Sequence, residues 1–267
     1  MKVRMYNVGF GDCFCLRDRK KSLLVDFGTN NSRIEGRPRR EIFDVIISDL
    51  STIKSKNLLL THFHMDHLSG LLYMMKKKDI SVDFGKIYLP DVFSKKEMSR
   101  TLVLLLLADL LKESGLPSRQ VSLFALVDAL LENKQNVELL SRGKLFENKY
   151  QALWPDTDVI RKETDEVYKR ICEDGKFKEV MDVLLEFAEK LRLIVWSMTA
   201  EGNKPAETVE KETDLTASEL TEQPEVRQKI IRAYVYEREF RRIKALPDFK
   251  KLLAWLNENQ INLRQFK

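Results

Sequence analysis

Histidine is the rarest informative side chain in this protein, with three in 267 residues, so whatever imidazole chemistry the chain has rests on those three positions. Cysteine is as scarce, again three. Cys13 and Cys15 alternate on one expected strand, where same-face neighbours are poorly placed to bridge, and Cys172 stands alone in a helical stretch. A disulfide framework is thereby excluded, and C-x-C without a second cysteine pair is a poor zinc motif. A long apolar run is missing too. Leu102 to Leu111 is the most apolar stretch, yet it contains Asp109 and is about half the roughly twenty residues that span a bilayer, so it reads as a core or interface helix. The N-terminus shows no secretory segment, and with reduced thiols this leads to the expectation of a cytoplasmic protein and no membrane partner. Nor does charge of one sign dominate. A formal charge of +5 and a pI near 8.9 permit nucleic acid or another anionic partner without requiring one.

What is present is an ordinary soluble balance, 33% charged and 43% hydrophobic, in a chain long enough for one large domain or a domain with an accessory one. The three histidines all fall in Thr61-His62-Phe63-His64-Met65-Asp66-His67, directly after Leu58, Leu59 and Leu60. The leucine run predicts a short buried strand and the polar residues the loop at its tip. In an extended loop His62 and His64 point to the same side, while Asp66 and His67 come as the chain turns into the helix begun by His67-Leu68-Ser69-Gly70. Imidazoles beside a carboxylate suit a catalytic zinc, iron or manganese site better than a closed structural one. The H-x-H-x-D-H spacing is far more specific than a lone histidine, which is more often solvated or capping.

Thr61-His62-Phe63-His64-Met65-Asp66-His67-Leu68-Ser69-Gly70 resembles the signature of the metallo-β-lactamase fold. Two upstream segments add to the resemblance. Val8-Gly9-Phe10-Gly11-Asp12-Cys13 looks like the glycine-aspartate turn that opens these domains, notably in the competence-type DNA-uptake branch, and Leu23-Leu24-Val25-Asp26-Phe27-Gly28 looks like the family's strand ending in Asp-x-Gly. The resemblance covers residues 1 to about 90, with a weak return at Ala152-Leu153-Trp154-Pro155. It implies an α/β (α+β) fold, the αββα metallo-β-lactamase-like sandwich, of which this chain holds the N-terminal half with large helical insertions. It also implies one or two zinc (Zn2+) or manganese (Mn2+) ions, with His62 and His64 on the first and Asp66 and His67 on the second. Asp66 would also position the nucleophile as the catalytic carboxylate. Asp12 and Asp26, at strand ends expected to approach the loop, could orient a ligand through a hydrogen bond or could cap local turns. Arg33, Arg37, Arg39 and Arg40, in the polar loop 30–40, could contact phosphate or simply solubilise the loop.

In order, residues 1–92 form the sandwich half with the metal motif, beginning with three antiparallel strands. Glu41 to Ser51 carries a helical pattern of Ile42, Val45, Ile46 and Leu50. Residues 93–136 predict a helical hairpin inserted between sandwich strands, and 137–157 the returning strands, with Tyr150 to Pro155 in one of them. Residues 158–200 are helical, with Val180, Val183, Leu184, Phe187, Leu191 and Ile194 on one face. Residues 201–225, acidic and nearly devoid of large apolar side chains, predict a mobile linker. Residues 226–267 predict basic helices, whose Tyr234, Tyr236, Arg238, Phe240, Arg241, Arg242 and Lys244 admit a nucleic-acid surface but fit helix packing better.

No histidine follows His67. The resembling family needs further histidines and a bridging aspartate, so the chain is expected to be the N-terminal part of a hydrolase, most simply a nuclease, completed by a complementary protein chain in a hetero-oligomer. A non-catalytic scaffold or regulatory subunit is the alternative of a different class. An ester or thioester hydrolase is the alternative within the enzymes.

Overall fold

The computed structural model describes residues 1–18, 21–77, 83–113, 122–133, 135–173, 175–200, 242–261 and 263. By its internal contacts the chain divides into two compact units, Met1–Asp91 with Gln120–Thr157, and Val92–Arg119 with Asp158–Phe266.

The first unit is built on a mixed sheet. Strands β1 (Lys2–Met5), β2 (Phe14–Asp18) and β3 (Lys21–Val25) run antiparallel as expected. The hairpin β4 (Arg33–Ile34) and β5 (Arg37–Pro38) leads into helix α1 (Arg39–Ser51), and strand β6 (Ser55–Leu59) then joins β3 in parallel. Helix α2 (Met65–Met75) precedes β7 (Ile87–Pro90), which is parallel to β6. The six-stranded order β1-β2-β3-β6-β7-β8 closes with β8 (Val137–Leu140), parallel to β7, at the start of the returning segment 137–157. Val137-Glu138-Leu139-Leu140 is too short for its alternation to give its bounds, which its pairing with β7 supplies.

One face of the sheet, with Cys15, Leu24, Leu58, Ile87 and Val137, is at most 1% exposed. Enclosure of this kind is what parallel strands require, and it explains the apolar residues of β7 and of the end of β6, Leu58 and Leu59. The other face packs Leu23, Tyr88 and Leu140 against Phe146 and Ala152 from the short pair β9 (Leu145–Phe146) and β10 (Tyr150–Gln151). Strand character ends at Gln151, so Leu153 and Trp154 do not extend β10 and are 80% and 56% exposed. Toward β1 the same face is open, with Val3 62% and Met5 68% exposed. Helix α1 buries Ile42, Phe43, Ile46, Ile47 and Leu50. Val45, expected inside, is 58% exposed because the buried stripe follows Phe43 and Ile47 instead.

The helices expected as one hairpin over 93–136 have different partners. In the second unit a 3-10 turn (Lys96–Met98) opens α3 (Ser99–Glu113), which packs on α6 (Lys178–Ser197), whereas α4 (Ser122–Glu132) packs on α2 in the first unit. Helix α5 (Thr157–Cys172) and α7 (Pro247–Glu258) complete the described part of the second unit. On α6 the buried stripe includes Val180, Leu184, Phe187 and Leu191, but Val183 and Ile194 lie at its half-exposed margin, and Arg192 takes a place in the core. The linker expectation for 201–225, and Tyr234, Tyr236, Arg238, Phe240 and Arg241, lie outside the described residues. Arg242 is exposed and Ile243 buried.

Arg192 is 2% exposed and donates through Nη2 and Nε to Glu189 at 2.7 and 2.9 Å and through Nη1 to the carbonyls of Phe93 and Ser94. Burial raises the Glu189 pKa, but the bonds from Arg192 and Ser99 outweigh it and hold the carboxyl below its usual range. That contribution to stability is complete above the ordinary carboxylate pKa and is lost as pH falls through the lowered value. Arg192→Met keeps bulk in the core and strips Glu189 of its cation. It is expected to cost about 3 kcal/mol, read as a lower urea midpoint by circular dichroism, with the deficit shrinking in acid as Glu189 is protonated.

Candidate metal centre

Because β3, β6 and β7 are parallel, their C-terminal ends lie along one edge of the sheet. Strand β2 runs against β3, so Asp12, two residues before it, arrives at that same edge. Residues distant in sequence therefore meet where open α/β sheets place ligands.

The loops are locked by backbone bonds. Phe27 N–H donates to the His67 carbonyl at 2.7 Å, Gly70 and Leu71 N–H both donate to the Phe27 carbonyl, and Gly28 N–H donates to the Asp12 carbonyl. A Cβ on Gly28 would stand 2.6 Å from the backbone of Asp66 and Leu68, and one on Gly11 would stand 2.3 Å from the Gly28 carbonyl oxygen. Only glycine permits that approach. Ser69 ties the arrangement further, its hydroxyl accepting from Thr29 N–H and donating to the Thr29 carbonyl.

Asp26, 2% exposed, holds the centre together. Its φ of 54° turns the chain sharply at the end of β3, in a region aspartate tolerates better than most residues. Its Oδ1 accepts from Thr61 N–H at 2.8 Å and its Oδ2 from the Thr61 hydroxyl at 2.7 Å, while His67 Nδ1 lies 3.0 Å from Oδ2. The Thr61 hydroxyl in turn lies 2.9 Å from His62 Nδ1. Thr61 thus positions one imidazole and the carboxylate that positions another. Thr61 lies inside the motif, and a hydroxyl directly before a candidate ligand is its signal in the sequence.

The histidine loop runs from the end of β6 into α2. Helix α2 begins at Met65 with His64 just before it, placing Asp66 and His67 in the first turn. The rings of His62 and His64 have centroids 4.9 Å apart, and those of His62 and His67 3.6 Å apart. His67 Nδ1 also lies 3.6 Å from Asp12 Oδ2, and His67 Nε2 lies 3.7 Å from Asp66 Oδ2. Asp12, Asp26 and His67 offer donor atoms within 4.8 Å of one another, a grouping fit for a cation. By the resemblance His67 pairs with Asp66, and Asp12 and Asp26 either orient a ligand or cap turns. The structure places His67 between both sets, with Nδ1 toward Asp26 and Asp12 and Nε2 toward Asp66.

Arg33 and Arg37 lie on the β4–β5 hairpin, and Arg39 and Arg40 in the first turn of α1, all exposed. Arg33 donates through Nε and Nη2 to the Gly36 carbonyl of its own turn, and Arg37, Arg39 and Arg40 form no ion pair among the described residues.

Burial disfavours the charged form of His67, but the Asp26 hydrogen bond and the charges of Asp26, Asp66 and Asp12 outweigh it, and its pKa rises above the usual histidine value. His62 moves down, by burial first and by the charge of His67 second. The carboxylates therefore favour positive charge at His67, whereas burial and the charge of His67 itself disfavour it at His62.

Residues 6–91 match the family model of the metallo-beta-lactamase superfamily. The mixed sheet with its helices is consistent with that superfamily's α/β fold. A curated relative, "Endoribonuclease YSH1" of Mycosarcoma maydis, is 32% identical over 77 residues, 29% of this chain and 8% of that protein. The chain thus matches only a small part of that relative's length. No solved structure matches the chain. Among the described residues no helix is long and apolar enough to cross a membrane.

Since His67 is harder to deprotonate in the folded chain than in the unfolded one, its contribution to metal-free stability is complete below a pH of about 6.5 and is lost as pH rises through its folded pKa. In EDTA the melting temperature is expected to fall between pH 6 and 8, and His67→Gln to flatten that slope. Added zinc reverses the sign, because coordination needs the neutral ring and strengthens as pH rises.

Proposed function

We propose that the chain is a metal-dependent hydrolase acting on phosphodiesters, a nuclease, with His62, His64, Asp66 and His67 as ligands of one or two zinc or manganese ions. The observation that carries this reading is the convergence of three imidazoles and the carboxylates of Asp12, Asp26 and Asp66 at one sheet edge. A divalent ion there would polarise a phosphoryl oxygen and lower the pKa of water to about 7.

The chain's own residues do the positioning. Asp26 accepts from His67 Nδ1–H, which fixes the tautomer and leaves the Nε2 lone pair toward Asp66. Thr61 passes the orientation of Asp26 on to His62. Asp66, its Oδ2 3.7 Å from His67 Nε2, would accept a hydrogen bond from the attacking water and so position it.

Phosphodiester chemistry is supported by three features. The matched relative is named an endoribonuclease, and the Val8–Cys13 turn resembles the competence-type DNA-uptake branch. The exposed arginines are the third. Arg39 and Arg40 occupy the positive end of α1, where cations oppose the helix dipole by about 0.3–1 kcal/mol each, so helix stability does not account for them and an anion would.

The reading includes a complementary protein chain. Val3 and Met5 leave an apolar sheet face open beside the centre, and no histidine after His67 is available to finish the ligand set. That second feature also favours the scaffold or regulatory-subunit reading, in which the partner alone is catalytic. An ester or thioester hydrolase would use the same centre without the arginines.

Metal content of the purified chain, alone and with candidate partners, is the test. Stoichiometric zinc or manganese, lost in His64→Ala together with cleavage of oligonucleotides, supports the nuclease. A metal-free protein whose melting temperature ignores His64→Ala assigns the scaffold, and turnover of p-nitrophenyl esters without oligonucleotide cleavage assigns the ester hydrolase. Asp26→Asn is expected to weaken metal binding by about 10–100-fold, measured by competition with a chromogenic chelator.

A further inference from the structure

We propose that Phe10 is a stacking platform for an unpaired base, so that the centre takes single-stranded nucleic acid, with Arg33 and Arg37 on the adjoining hairpin gripping its phosphates. The proposal rests on the phosphodiester reading above and adds to it a substrate class and a residue that selects it.

Phe10 is 68% exposed, although Val8 and Cys13 in the same segment are 2% and 1% exposed and Tyr6 is 9%. The ring stands in water on a backbone that holds it there. Phe10 N–H donates to Asn31 Oδ1 at 3.3 Å, and its carbonyl accepts from Asn30 N–H at 2.9 Å and from the Thr29 hydroxyl at 3.2 Å. Tyr6 N–H donates to the Cys13 carbonyl across the base of the loop, and Gly11 N–H to the Gly9 carbonyl within it. Gly11 is pressed so closely on Gly28 and Asp66 that even a methyl group has no room. Swinging the ring inward would break these contacts.

The loop also carries chemistry. Asp12 lies two residues on from Phe10, within 3.6 Å of His67, so the ring and the cation-binding edge belong to one rigid turn. The hairpin bearing Arg33 and Arg37 is fastened to the turn through the Asn31 bond, the Asn7 to Glu35 side-chain bond at 2.7 Å, and the packing of Ile34 near Gly9. Arg33 is itself anchored by two of its nitrogens on the Gly36 carbonyl, leaving Nη1 for a phosphate oxygen.

A flat apolar ring on a fixed stem, with two cations on the hairpin fastened to its turn, suits a strand whose bases are unstacked, because a duplex hides its base faces. A protein-docking patch would need contiguous apolar surface, and the residues bonded or adjacent to Phe10 are Gly9, Gly11, Thr29, Asn30 and Asn31.

The test uses the full chain in EDTA, so that nothing is cleaved, with short fluorescein-labelled oligouridylate, oligothymidylate and a mixed-sequence duplex read by anisotropy. At least one single strand is expected to bind about tenfold or more tightly than the duplex, and the tighter of RNA and DNA identifies the sugar. Phe10→Ala should weaken single-strand binding by about fivefold or more at an unchanged melting temperature, while Phe10→Trp retains it and its added fluorescence is quenched on binding. Wild-type affinity in Phe10→Ala, or a melting temperature lowered by that change, overturns the stacking role and leaves the phosphodiester reading standing. If the wild type binds no oligonucleotide at all, both fall.

Discussion

The bonds from the Asp26 carboxylate to Thr61 and His67 are the constraint on which the centre depends. A buried carboxylate is tolerable only when its oxygens are satisfied, and here both are, by a backbone N–H, a hydroxyl and an imidazole. Because those donors come from beyond β6 and from α2, the electrostatic requirement of one aspartate at the end of β3 dictates where the histidine loop must lie. Fold and site are coupled at this point: the parallel pairing of β3 with β6 brings the segments together, and Asp26 fixes their final ångströms.

Glycine supplies the complementary condition. Gly11 and Gly28 let three segments, the turn before β2, the end of β3 and the head of α2, approach to backbone contact. The same tightness that shapes the histidine cluster makes the Phe10 turn rigid. The histidine cluster and the exposed position of Phe10 are therefore consequences of one close packing of loops.

The second unit follows different physics. Its α3 and α6 join through apolar faces around an Arg192–Glu189 pair, a buried charge arrangement sustained by full hydrogen bonding. Helical periodicity made these helices readable, since 3.6-residue repeats are local in sequence. The partners of α3 and α4 were not readable, because two consecutive amphipathic helices look alike whether they pack on each other or part company. Strand β8 falls inside the segment 137–157 expected to return to the sheet, but four residues of a parallel strand carry no period long enough to delimit it there.

From the sequence alone came the antiparallel opening strands, the buried leucine strand, the turn into α2 and the clustering of all three histidines, since strand alternation and an H-x-H-x-D-H spacing are short-range properties. The sequence also placed Asp12 and Asp26 at strand ends but left open whether they capped turns or faced the site. Tertiary structure decided that Asp26 binds His67 and Thr61, that Asp12 and Asp66 approach opposite nitrogens of one imidazole, and that Phe10 stands outside while Val8 lies within. These are relations between residues tens of positions apart, fixed by sheet order and by the approach of loops, and a one-dimensional pattern carries no distance across strands.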